Sequence, residues 1–250
     1  MSRLAIVFAA VLALAGCGSL DVPLPSASPS VERTGELPLD PGVLGLTCAD
    51  GLVFHPALLE SPGHAETDPD AAAEALRVYI AEIGFATHPR GGWVRTGQTA
   101  DKAQFIAQDP DGDRWFVVGF HTRQGNWRLD LAAKCQPEIV PPAGVNRAEW
   151  RLDPGFPPPG VGDRTIHVLI NERACASGQS PEGRVLPPIV APGQTAMTIA
   201  ILVTSRPGGQ ECPGNPDFAM TVDLPEPLGG RPLLDGGVFP PRDVTKPSSG

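Results

Sequence analysis

Proline is spread so unevenly along this 250-residue chain that it divides the sequence before any other property is considered. Its ring fixes φ and removes a main-chain donor, so dense proline is incompatible with long helices and with interior strands. Between Asp70 and Gln136 only Pro89 and Pro110 occur. By contrast, Pro23, Pro25, Pro29, Pro38 and Pro41 crowd the N-terminal part, and prolines recur throughout from Pro137 onward. Continuous regular structure is therefore expected in the middle, with short strands and frequent turns after it. The 30 prolines and 29 glycines approach the level at which low-complexity chains stay unfolded. A hydrophobic content of 41% opposes that, because it supplies apolar surface enough to offset the entropy of ordering.

In the middle segment, Thr67-Asp68-Pro69-Asp70 offers an N-cap aspartate at Asp68, a proline at the first helical position and acids beside the positive helix end. Ala72, Leu76, Tyr79, Ile80 and Ile83 then form one apolar stripe that stops before Gly84, which predicts a helix over about 69–83. Four strand-like runs follow, at about 92–96, 103–108, 114–121 and 127–133. The turns between them, Asp109 to Asp113 and Arg123 to Asn126, carry hairpin residues. One helix against a four-stranded antiparallel meander, an α+β unit over 46–137, is the economical arrangement. Its element order resembles that of cystatin-like and NTF2-like folds.

Beyond a connector at 138–146, no helical period is found. Candidate strands run at about 147–152, 165–173, 184–190, 196–204, 218–224 and 233–239, separated by turns such as Pro157-Pro158-Pro159-Gly160 and Pro207-Gly208-Gly209. That spacing predicts an all-β domain over 147–239, a β-sandwich of immunoglobulin-like architecture. The tryptophan that marks antibody-type domains is missing between its cysteines. Residues 240–250 read as a frayed tail.

The N-terminus begins with Arg3 ahead of a short apolar run from Leu4 to Ala15. Such a run is too short to cross a bilayer as a helix and has the form of a signal peptide over 1–16. Leu14-Ala15-Gly16-Cys17 resembles the lipobox of bacterial lipoproteins. The resemblance implies that Cys17 becomes the mature N-terminus and carries acyl chains such as palmitate, which anchor the protein to the outer face of the cell membrane. Gly18 and Ser19 follow, so the aspartate that such proteins use for inner-membrane retention in two-membrane bacteria is absent at the second position. Only three lysines occur (Lys102, Lys134 and Lys246) in an arginine-, alanine- and glycine-rich chain, a composition similar to that of actinobacterial cell-surface lipoproteins. Residues 17–45, rich in proline and serine, read as an extended tether.

With Cys17 given to lipid, Cys48, Cys135, Cys175 and Cys212 remain, an even number that suits an oxidising compartment. Among the possible connectivities, Cys48 with Cys135 and Cys175 with Cys212 is favoured because each pair brackets one block. No two cysteines are close enough for a CxxC metal or redox site.

A net charge of −9 withholds the electrostatic footprint that nucleic-acid binding requires. His55, His64, His88, His121 and His167 lack local metal-site spacing, and the chain carries neither H-E-x-x-H, nor G-x-S-x-G, nor a phosphate loop, nor G-x-G-x-x-G. No cofactor is expected. Asp109, Asp111 and Asp113 form a truncated calcium-loop pattern, for which a plain hairpin turn is the competing and favoured explanation, since a strand resumes at Arg114. Strand parity places Phe116, Val118 and Phe120 toward the helix, with Trp127, Leu129 and Leu131 expected to be buried. The opposite face then gathers Trp115, His121 and Arg128, with Trp93 or Arg95 beside them, as either a ligand surface or a packing face for the second domain. The expectation is a non-enzymatic, membrane-anchored extracytoplasmic binding or accessory lipoprotein with a protein, glycan or lipid partner. The alternatives are an extracytoplasmic hydrolase or cell-wall-modifying enzyme with a distributed site, recognisable by a cleft holding a histidine beside an acid and a nucleophile, and a structural spacer.

Overall fold

The computed structural model describes residues 45–49, 51–61, 63–83, 88–110, 112 and 114–246. The expected signal peptide, Cys17 and all of the tether except Gly45 lie outside the described residues. No helix among the described residues is long and apolar enough to cross a membrane. In chain order the regular elements begin with β1 (Leu46–Thr47), one-turn 3-10 helices at Pro56–Leu59 and Ala65–Thr67, α1 (Ala71–Glu82), β2 (Val94–Gln98), β3 (Lys102–Gln108), β4 (Trp115–Arg123), β5 (Asn126–Cys135) and β6 (Glu138–Ile139). They continue with β7 (Val145–Leu152), β8 (Thr165–Glu172), β9 (Ile189–Pro192), β10 (Met197–Thr204), β11 (Phe218–Asp223), β12 (Leu233–Asp235) and β13 (Arg242–Asp243). The described residues are thus mostly β, with one α-helix and several antiparallel pairings among them.

The helix starts two residues later than expected. Asp70, not Asp68, is the N-cap, its carboxylate accepting from the Ala72 and Ala73 N–H groups at 2.9 and 3.1 Å. Asp68 instead closes the preceding 3-10 turn through its own N–H on the Ala65 carbonyl. Ala72 and Leu76 are buried, with Tyr79 and Ile80 half-buried, so the apolar stripe does face the core.

The meander has the order β2-β3-β4-β5, all antiparallel. Its β4–β5 hairpin turns through Gln124 and Gly125, with φ of 51° and 78°. These are the positive φ values of a two-residue type I′ turn, whose twist matches the flanking strands. The expected parity holds on β4, where Phe116, Val118 and Phe120 join Leu76 in one cluster beneath the helix. On β5 it fails. A register shift opposite Gly119 and Phe120 places Leu129 across from Phe120 but Leu131 across from Gly119, so Asp130 is the extra, bulged residue. Trp127 therefore packs on the helix side, Leu131 packs on the other side, and Leu129 is exposed.

The second face of the meander is covered by the β-rich half. Val117 and Ile106 share a cluster with Leu46, Phe54 and Ile139 and with Ala200 and Leu202 of β10, while Trp115 packs against it. β6, inside the stretch expected as a connector, pairs with β1. In the β-rich half the strand order is β11-β8-β7-β10-β12-β13, with β9 also on β10. The N-terminal half of β10 pairs with β9 and, in parallel, with β12, whereas its C-terminal half pairs with β7. The two sheets that meet along β10 thus join into one seven-stranded sheet, and Trp150, Ile166, Val168, Ile170, Met197, Ile199, Ile201 and Val222 gather in one buried cluster. The run expected at 184–190 forms a strand only from Ile189, after Pro187 and Pro188 have withheld two donors. The last run stops at Asp235, and Arg242–Asp243 returns to pair with β12, so residues 240–246 belong to the fold and do not fray.

Both expected disulfides are present, with Cα separations of 5.9 Å for Cys48–Cys135 and 4.6 Å for Cys175–Cys212. The first anchors β1 and its turn to the end of β5, with Cys48 buried. The second joins two loops with both residues exposed. Under limiting reductant, a thiol-reactive mass tag should therefore label Cys175 and Cys212 well before Cys48 and Cys135. Simultaneous or reversed labelling would contradict this ordering by exposure.

Candidate functional site

Of the side chains expected on one face of the meander, Trp115, His121 and Arg128 do share it, whereas Trp93 and Arg95 turn to the helix side. Trp93 is 0% exposed and sits in the cluster under the helix, away from Trp115. Arg95 also turns to that side. Its guanidinium lies over the Phe105 ring at 5.2 Å and pairs with Asp68 at 2.9 Å and Asp70 at 2.5 Å, which holds the Asp70 carboxyl below its ordinary pKa. Arg95 thus ties the start of α1 to β2. Trp115 is half-buried against the cluster that contains Val117 and Leu202, which is a packing role. His121 and Arg128 remain across from each other at the far end of the strands, with Asp130 3.3 Å from His121 Nδ1 and Arg123 Nε donating to His121 Nε2 at 2.6 Å.

Of the calcium candidates, Asp111 and Asp113 lie outside the described residues. Asp109 is buried, and its carboxylate accepts from Lys134 Nζ at 2.7 Å, which fastens the β3–β4 turn to β5. Among the described residues no group of three His, Cys, Asp or Glu side chains is placed to hold a metal ion.

Among the described residues a concavity lies elsewhere, on the β-rich half, away from the residues expected to form a site. It is a broad cleft of about 1500 Å³, bounded by β7, β8, the loop 153–163 that joins them, and the C-terminal segment 240–246. The loop is held at several points. Asp153 N–H donates to the His167 carbonyl at 3.0 Å and Gly229 N–H to the Val161 carbonyl at 2.8 Å. The carboxylates of Asp153 and Asp163 accept from Gly155 and Gly160 N–H at 2.8 and 2.7 Å, closing local turns. This pinning presents Phe156 to the cleft. Its ring stacks on His167 with centroids 3.7 Å apart and planes 12° from parallel, yet the residue stays 47% exposed. One ring face is covered by the imidazole, and the other is offered to solvent.

Charges around the cleft are mutually compensated. Arg151 forms a two-pronged pair with Asp217 and holds that carboxyl below its ordinary pKa. Asn171 Nδ2 lies 3.4 Å from the same carboxylate and donates to the Asn215 carbonyl at 2.7 Å. Arg173 and Arg242 both pair with Glu149, at 3.4 and 2.8 Å, Lys246 pairs with Asp243 at 3.2 Å, and Arg231 pairs with Glu226 at 2.6 Å. Burial alone would raise the Glu149 carboxyl, but the arginines outweigh it and hold it low. His167 Nδ1 lies 3.5 Å from Thr221 Oγ1, the outer limit of a hydrogen bond. The cleft carboxylates Glu149, Asp153, Asp163, Asp217 and Asp243 are engaged by arginine or main-chain N–H groups.

Beneath the cleft wall lies a buried ionic cluster. Asp235, 0% exposed, receives Gly237 N–H at 2.9 Å, Arg242 at 3.3 Å and Arg147 at 3.9 Å, while Arg147 also donates to Glu138 at 2.6 Å. Burial pushes the Asp235 carboxyl up despite its two arginines. Gly237 is required beside it, because a Cβ there would stand 2.8 Å from Arg147 Cδ. Matched against protein-family models, curated proteins and solved structures, the chain finds no counterpart.

Removing Arg147 leaves Asp235 buried with one less cation, so an Arg147→Ala variant should lose on the order of 3 kcal/mol at neutral pH. A carboxyl whose folded pKa lies above its unfolded value of about 3.9 keeps its full stability below that pH and loses it as pH rises through the folded pKa. The deficit of the variant relative to the native protein should therefore shrink toward about pH 4, as read by urea denaturation at both pH values. A deficit constant with pH would refute the role given to Asp235.

Proposed function

We propose that this chain is a lipid-anchored extracytoplasmic binding protein that carries out no chemistry and takes its partner in the cleft between loop 153–163 and segment 240–246. The observation that carries the reading is the pinned, solvent-facing Phe156 ring stacked on His167 at the mouth of that cleft. The ring is steadied by His167 and by a loop tied down through main-chain bonds, yet about half of it stays open to solvent. It supplies a preorganised contact, and preorganisation is what binding sites use to limit the entropy lost on association. The β-rich half is read as a sandwich of immunoglobulin-like architecture, supported by its single apolar core cluster and by its short, turn-separated strands.

The anchor rests on the lipobox-like Leu14-Ala15-Gly16-Cys17 and on the two disulfides, which suit an oxidising compartment. A Cys17→Ser variant should move from the membrane fraction to the soluble fraction on cell fractionation. Unchanged membrane association would remove the lipid anchor from the reading.

The binding role is tested by placing a photoreactive amino acid at Val161, which is 69% exposed at the cleft, and irradiating intact cells. A covalent adduct is expected from Val161, absent when Phe156→Ala is added and absent when the same probe replaces the exposed Val53, which does not line the cleft. Equal yields from Val161 and Val53 would count against a site in the cleft.

A further inference from the structure

Resting on the cleft as the ligand site, we infer that its ligand is a neutral oligosaccharide. Three observations lead there. The first is charge. Each cation lining the cleft, Arg151, Arg173, Arg231, Arg242 and Lys246, already pairs with a carboxylate of this chain. An anionic ligand would have to displace those carboxylates, and a cationic one would have to displace the arginines. Neither gains net Coulomb energy, so an uncharged ligand fits best.

The second is the chemistry left exposed. The Arg151–Asp217 pair, with Asn171 against it, presents planar groups whose remaining donors and acceptors suit adjacent hydroxyls. Asp153 and Asp163 each use one carboxylate oxygen for a main-chain N–H, which leaves the second oxygen as an acceptor. Beside these polar groups stands the open face of Phe156, held flat by His167. An aromatic face flanked by carboxylates and amides matches a sugar ring, whose C–H-bearing side is apolar and whose edge carries hydroxyls.

The third is extent and wall composition. About 1500 Å³ exceeds the several hundred Å³ of an ordinary small-molecule pocket, so the ligand is a chain of units. A peptide added as an extended strand would be read chiefly through main-chain hydrogen bonds. The loop wall contains Pro154, Pro157, Pro158 and Pro159, four positions without an N–H to give. A saccharide, bound through side chains and ring stacking, does not need them.

The experiment is calorimetric titration of the full chain in detergent micelles with cellohexaose and with chitohexaose, repeated with heparin and with phosphatidylglycerol vesicles. Binding of at least one neutral hexasaccharide is expected at millimolar or lower concentration, with little dependence on added salt. Phe156→Ala should weaken it by about tenfold or more, equivalent to about 1.4 kcal/mol. Phe156→Tyr, which keeps the ring, should retain it, and circular dichroism of both variants should match the native protein. The inference is overturned if neither hexasaccharide binds, if heparin or vesicles bind instead, or if hexasaccharide binding ignores the loss of the Phe156 ring. A Phe156-dependent adduct at Val161 without hexasaccharide binding would keep the cleft as a site while rejecting the saccharide. Absence of both would reject the two together.

Discussion

Everything else in the structure depends on β10 being buried on both faces. Met197, Ile199, Ile201 and Val203 point into the core cluster of the β-rich half, while Ala200 and Leu202 point into the cluster shared with the meander. Along its length the same strand supplies hydrogen bonds to β7, β9 and β12. Its side chains therefore satisfy two apolar layers while its backbone joins two sheets. A polar substitution at either parity would leave one layer with a group it cannot hydrate. The helix, the meander and the cleft are all placed relative to this one strand, the helix through the meander and the cleft through β7.

Where local rules govern, the sequence is transparent. The Gln124-Gly125 turn, the apolar stripe of α1, the β4 parity of Phe116, Val118 and Phe120, and both disulfide pairings follow from turn chemistry, helical period, pleat and spacing. Residues 199–203 are continuously apolar, in keeping with a strand covered on both sides. The errors arise where a single residue changes the register or where two similar residues compete. The bulge at Asp130 reverses the facing of Leu131 relative to Trp127, and nothing in the pattern of β5 announces it. Asp68 and Asp70 are equally plausible caps by residue type and both pair with Arg95; the choice falls to Asp70 because Asp68 closes the 3-10 turn before it.

The candidate site was much less legible. Pro157-Pro158-Pro159-Gly160 was recognisable as a loop, but Phe156 within it had no reason to stand out. Its role arises from β7–β8 pairing, which brings His167 under the loop, and from the Asp153 and Asp163 turns that fix the loop there. The two turns are local, but the strand pairing joins residues more than ten positions apart, which no local period encodes. Conversely, Trp93, Arg95 and Trp115 had the composition of a binding face, yet each is consumed by packing or by an ion pair.

The bulge in β5 has a further consequence. β5 is a ten-residue strand at the rim of the meander, with β4 its only partner in that sheet, so its outer edge is a template onto which another chain could be added. The extra residue at Asp130 interrupts the regular alternation of N–H and C=O along that edge, and Arg128, Asp130 and Lys134 place exposed charge of both signs beside it. A second strand laid there would lose register at the bulge and meet charges it must desolvate. This irregular rim keeps neighbouring copies of the protein from extending one another's sheets.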